Sequence, residues 1–139
     1  MRRIAPVIVF ALALAAGENQ ISKARDPIRI THGVAVGDVT SSTAVIWARS
    51  DQRATMSVRY YPPGSEKPRK ATAANSVASD FTAKVKLTGL QPGTTYRYEV
   101  EFAAGGERSP IESGTFRTAP SGDMSSAMSF IWGGDLGGQ

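Results

Sequence analysis

No cysteine occurs among the 139 residues, and His32 is the one histidine. The first absence excludes disulfides, thiol catalysis and cysteine metal ligands from this stretch, so the compartment has to be read from another signal. The second gives His32 no imidazole partner for a metal, so a surface or strand-end position suits it better, and with no obvious nucleophile turn beside it Ser-His-Asp hydrolysis is not supported. Neither sign of charge dominates: 16 Lys plus Arg stand against 12 Asp plus Glu, for a net +4. Removing Arg2 and Arg3, which lie in a cleavable segment described below, leaves 14 against 12, or +2. Nucleic-acid binders concentrate basic charge on one face, so no nucleic acid is expected as a partner. No long helical period appears, and no apolar run reaches the ~20 residues that cross a bilayer, so stable membrane insertion is not expected.

What is present is an ordinary globular composition, 41% hydrophobic and 20% charged, enough for one domain with a core. Met1, Arg2 and Arg3 form a short basic end, and Ile4 to Ala16 is an uncharged apolar run that closes on Ala13-Leu14-Ala15. That order reads as a secretory signal over residues 1–17, with cleavage after Ala15, Ala16 or Gly17 and a secreted or periplasmic product. Residues 18–29 are polar, of mixed charge and without periodicity, a leader arm.

From Ile28 onward the pattern changes. Short segments rich in Val, Ile, Thr and aromatics recur between Gly, Pro, Asp and Ser, the mark of an all-β sandwich. Strands are expected over Ile30 to Val36, Thr43 to Arg49, a segment carrying Met56, Val58 and Tyr60 that Pro62 must end, and a weaker edge strand from Arg69 to Ala78. Ala83, Val85 and Leu87 share a face of the next; Tyr96, Tyr98, Val100 and Phe102 of another; Phe116 anchors the last before Ala119-Pro120. Seven strands in about 90 residues suit an immunoglobulin-like antiparallel sandwich over residues 30–119. Alternation places Thr43, Val45 and Trp47 together, and Trp47, Val58, Val85, Tyr96, Val100 and Phe116 are expected to be buried as one core.

The segment Leu87-Thr88-Gly89-Leu90-Gln91-Pro92-Gly93-Thr94-Thr95-Tyr96 resembles the corner before the sixth strand of fibronectin type III domains, where a tyrosine hydroxyl bonds back to nearby backbone. A buried tyrosine has to satisfy that hydroxyl, and doing so locally fixes the crossover between sheets. Trp47 is expected to face it.

A second resemblance bears on function. His32 to Asp51, HGVAVGDVTSSTAVIWARSD, resembles the opening of the N-terminal domain of alkaline phosphatase D (PhoD-like) metallophosphatases, in which a Gly-Val-Ala-x-Gly-Asp run leads to a Val-x-Trp-x-Arg strand. Here these are Gly33, Val34, Ala35, Gly37 and Asp38, then Val45, Trp47 and Arg49. The likeness extends from Ile30 to Gln139 and includes the glycine-rich turn GGDLGGQ. Purple acid phosphatases share the plan of a small sandwich before a metallophosphatase domain, but the His32 to Asp51 segment fits the former family better. The resemblance implies a linker at 120–127 and, at 128–139, the first strand and turn of a catalytic domain interrupted four residues past Asp135. It makes Asp135 the first metal ligand of a dinuclear centre, with iron and calcium in the parent enzyme and none held stably by this chain alone. Two such metals polarise phosphoryl oxygens and lower the pKa of a bound water. A cysteine that the family often carries at this strand end is absent here, which leaves the metals' identity open.

The implied function is that of an accessory domain of a secreted phosphomonoesterase or phosphodiesterase, with the missing catalytic domain as partner and a phosphate ester as the parent's substrate. The alternative is a free-standing secreted binding or adhesion module. Lys67, Arg69 and Lys70 around Pro68 form a basic cluster best read as a solvated hairpin, and Tyr60, Tyr61 and Trp47 are better explained by packing than by carbohydrate stacking.

Overall fold

A computed structural model describes residues 26–123, 127 and 129. Among them the elements are β1 (Ile30–Gly37), β2 (Ala44–Ser50), β3 (Thr55–Tyr61), β4 (Arg69–Ala74), a single 3-10 turn (Val77–Ser79), β5 (Thr82–Leu87), β6 (Thr95–Ala104), β7 (Glu107–Arg108) and β8 (Glu112–Arg117). Two antiparallel sheets result, one ordered β1-β2-β5 and the other β4-β3-β6, with β7 and β8 both paired to β6. The expected sandwich is therefore present. The expected signal segment and Asp135 lie outside the described residues, as does nearly all of 128–139.

The core between the sheets divides its volume unequally. The β1-β2-β5 sheet contributes mostly small and aliphatic groups, Ala44, Ile46, Ala48, Ala83, Val85 and Leu87, whereas the other contributes Met56, Tyr60, Tyr96, Tyr98, Phe102 and Phe116. Large groups from one layer set against small groups from the other fill the space at interior density. Tyr96 stacks on Phe116 at 5.5 Å between ring centres. The core begins at Ile28, only 1% exposed, inside the segment read as leader arm, and Arg29 is tied to Asp51 through backbone and carboxylate bonds.

Trp47 corrects the expectation. It does share a face with Val45, but that face points away from the core and Trp47 is half-buried; Ala44, Ile46 and Ala48 point inward instead. The reason is cross-strand register. Trp47 is paired with Lys84 and Val45 with Lys86, and residues directly opposed in an antiparallel pair share a face. Since β5 alternates buried Ala83, Val85 and Leu87 with exposed lysines, it fixes the phase of β2.

The tyrosine corner is present as expected. The Tyr96 hydroxyl accepts the Gln91 N–H at 2.8 Å, and Leu90 is buried beneath it. Thr118, at the exit of β8, locks the corner from the other side: its hydroxyl donates to the Gln91 carbonyl at 2.6 Å and accepts the Thr94 N–H at 2.9 Å. Tyr96→Phe keeps the ring but strips the Gln91 N–H of its acceptor. Urea denaturation should record a loss of about 1 kcal/mol with an unchanged slope.

The flank shared by β1 and β8 is irregular, whereas β4 and β5 on the opposite flank keep an unbroken register. The β1–β2 register shifts between Ile30 and Val34, around Gly33 at φ 68°. Between β7 and β8 the pairing to β6 slips by one residue at Ser109-Pro110-Ile111. There the Ser109 hydroxyl accepts the Phe102 N–H at 2.9 Å, standing in for backbone that proline's neighbourhood cannot align. On β8, Gly114 lies under Tyr98; a Cβ there would fall 2.5 Å from the phenol oxygen.

Strand β4 ends at Ala74, short of the expected Ala78, because Asn75 turns its side chain inward and Ser76 opens the 3-10 turn with a reciprocal Ser76–Ser79 cap.

Candidate functional site

Among the described residues no group of three or more His, Cys, Asp or Glu side chains is placed to hold a metal. The described part of the chain thus offers no ligand set for iron or calcium. His32 sits exposed on β1, where its Nδ1 lies 2.8 Å from the Thr31 hydroxyl. That hydroxyl accepts from Arg49 at 3.0 Å, and Arg49 grips Asp80 with two parallel bonds of 3.0 and 3.1 Å. Asp80 occupies the left-handed region at φ 49°, which presents its carboxylate to β2 from the end of the 3-10 turn.

This pair has a definite proton signature. Hydrogen bonding to Arg49 holds the Asp80 carboxyl below the ordinary aspartate value, the Arg49 charge adds to the effect, desolvation opposes it, and His32 lowers it further. A depressed carboxyl stabilises the folded state above its unfolded value, and the contribution fades as pH falls through the folded value. NMR titration should place the Asp80 midpoint below that of an ordinary aspartate, and Arg49→Gln should return it upward. An unchanged midpoint in Arg49→Gln would dissolve the pair.

The outer face of the other sheet carries a second polar network. Glu99, with its side chain 18% exposed, accepts from Arg59 at 3.1 Å, Tyr61 at 3.0 Å and Arg97 at 2.8 Å, and the Arg97 guanidinium lies 3.8 Å above the Tyr61 ring. Glu101, one row along, accepts from Arg108 at 2.8 Å. These carboxylates are committed to partners within the domain. The arrangement braces strands, and nothing in it is left to polarise a substrate. Beside the β6–β7 hairpin lies an open recess of about 340 Å³, lined by Thr55 and Ala103 to Arg108.

The basic cluster of the sequence does not gather in space. Arg69 pairs in register with buried Tyr60 and reaches across to the Gly89 carbonyl at 3.1 Å, while Lys70 pairs with Arg59 on the opposite face. Lys67 lies in the exposed turn before β4. Among the described residues no helix is long and apolar enough to cross a membrane.

Comparison with known proteins supplies what the geometry alone does not. The family model described as "PhoD-like phosphatase, N-terminal domain" matches residues 14–120. The chain belongs to that family. Among solved structures, this PhoD-like N-terminal domain is similar to one described as "Structure of PhoD", at 26% identity and a TM-score of 0.52. The match covers 64% of this chain and only 19% of that one. The same sandwich occurs in a two-domain fibronectin type III segment of chicken tenascin, with 24% identity, a TM-score of 0.55, and coverage of 65% of this chain and 49% of that one. It occurs again in the fn3 domain of the human collagen alpha-1(XX) chain, with 24% identity, a TM-score of 0.56, and coverage of 76% and 99%. At those identities the last two likenesses speak to fold alone. No curated protein matches the chain.

Proposed function

We propose that this chain is the accessory N-terminal sandwich of an exported PhoD-like phosphomonoesterase or phosphodiesterase, and that it carries no turnover by itself. The observation that carries the reading is the family match over residues 14–120, joined to the 19% of the PhoD structure that the likeness spans. The basic start, the apolar run and Ala13-Leu14-Ala15 support export, and Asp135 in GGDLGGQ is assigned as the first ligand of the metal centre of the phosphatase domain.

The test is hydrolysis of an aryl phosphate and an aryl phosphodiester with iron and calcium supplied. The 139-residue chain should show no metal-dependent turnover, and the same chain extended by a PhoD-like phosphatase domain should show it and lose it in Asp135→Ala. Turnover by the short chain that vanishes in Asp135→Ala would overturn the division of labour. An inert extended chain would favour the free-standing binding module instead.

A further inference from the structure

The family motif has a property that its residue types conceal. Ala35 is paired with Trp47 and Gly37 with Val45 across β1 and β2, and beyond them stand Lys84 and Lys86 on β5. All six lie on the outer face of the β1-β2-β5 sheet. Each row runs from a small residue through an apolar one to a lysine. Ala35, Gly37, Lys84 and Lys86 are exposed, and Val45 and Trp47 are half-buried. Small neighbours on β1 leave the indole open to a partner on that side. An outward apolar patch rimmed by charge, with tryptophan at its centre, is the composition of a protein–protein contact.

Two observations on the fold choose the occupant. The first is where the chain leaves the sandwich. The Ala119 N–H donates to the Thr40 carbonyl at 3.1 Å, and the Ala119 carbonyl accepts from Gly93 at 2.8 Å. This pins the exit of β8 beside the turn between β1 and β2, three residues from Gly37, so polypeptide joined there emerges at the lip of the Trp47 face. The second is the contrast with the opposite sheet, whose outer face carries the Glu99 and Glu101 networks, in which both carboxylates are already paired with arginines of the domain.

We propose that the outer face of β1-β2-β5, centred on Trp47, is the seat of the phosphatase domain, which meets it with an apolar patch rimmed by carboxylates opposite Lys84 and Lys86. The inference rests on the accessory-domain reading. It names the face through which that role is exercised.

The experiment is a lysine-acetylation footprint read by mass spectrometry. It compares the full chain alone with the full chain set before the phosphatase part of the PhoD protein, in place of the region it matches. Lys84 and Lys86 should be labelled several-fold more slowly in the joined protein, while Lys70, on the other sheet, keeps its rate. Ala35→Arg, which adds bulk and charge to an exposed position without touching the core, should restore the labelling of Lys84 and Lys86. An active joined protein in which Lys84 and Lys86 label as in the free chain, or in which Lys70 alone is protected, overturns the face and leaves the accessory role standing. An inactive joined protein with every lysine labelled as in the free chain overturns both.

Discussion

Asn75→Ala is expected to cost roughly 3 kcal/mol of unfolding free energy, well beyond what removing an amide from a surface loop would do. Asn75 is 5% exposed and is the buried polar hub of the domain. Its Oδ1 accepts the Ala54 N–H at 2.7 Å; its Nδ2 donates to the Ser50 hydroxyl at 2.7 Å, the Phe81 carbonyl at 2.9 Å and the Gln52 carbonyl at 3.2 Å. The backbone N–H of Asn75 also reaches the Ala54 carbonyl at 3.0 Å. One side chain thus joins the end of β2, the entry of β3, the end of β4 and the start of β5. Truncation strands the buried Ala54 N–H and removes four contacts made through three protons, worth ~1 kcal/mol for each proton. Asn75→Asp keeps the acceptor for Ala54 but sets a carboxylate against two carbonyls, so its penalty should grow as pH rises and the group ionises. Denaturation curves for both variants across pH decide the matter. A loss under ~1 kcal/mol for Asn75→Ala would mean that water replaces the amide without difficulty.

The second large effect separates the two aromatic positions that the sequence makes look alike. Phe102 is 0% exposed at the centre of the core, and Phe102→Ala should cost ~3–5 kcal/mol through lost transfer energy and the cavity left behind. Trp47→Ala should cost less than half of that, because part of the indole already faces water and no enclosed cavity forms when it is removed. Matched urea titrations read both. Equal costs would return Trp47 to the core and reverse the assigned phase of β2.

The reach of the sequence can be judged from these same residues. Strands β3, β5 and β6 are legible because polar and apolar positions alternate cleanly, as in Ala83, Lys84, Val85, Lys86 and Leu87. The corner at Leu90 to Tyr96 is legible because its residues carry their own local geometry. Strand β2 is not, since Ala44 to Ala48 is apolar at every position and alternation cannot say which set faces inward. The lysines of β5 hold that information, but only register transmits it. Asn75 escapes notice for a related reason: an isolated asparagine at a strand end has no periodic signature, and its four partners lie in the stretch 50–54 and at Phe81, which only the fold brings to it. As for the site, Asp135 enters through resemblance alone, and the surface centred on Trp47 becomes visible only once the phase of β2 is known.

The irregular flank bears on how this domain behaves in company. A sheet whose last strand is straight and fully extended offers a template on which another copy can add itself, and long stacks grow from such templates. Here β1 is bent at Gly33 and the neighbouring β7–β8 edge is interrupted at Ser109-Pro110, where the hydroxyl already occupies the Phe102 amide. An incoming strand on this flank would find only a few aligned groups before the spacing failed. The small distortions that make this flank untidy therefore act against fibril growth there, and leave β4 and β5 as the edges along which another strand could align.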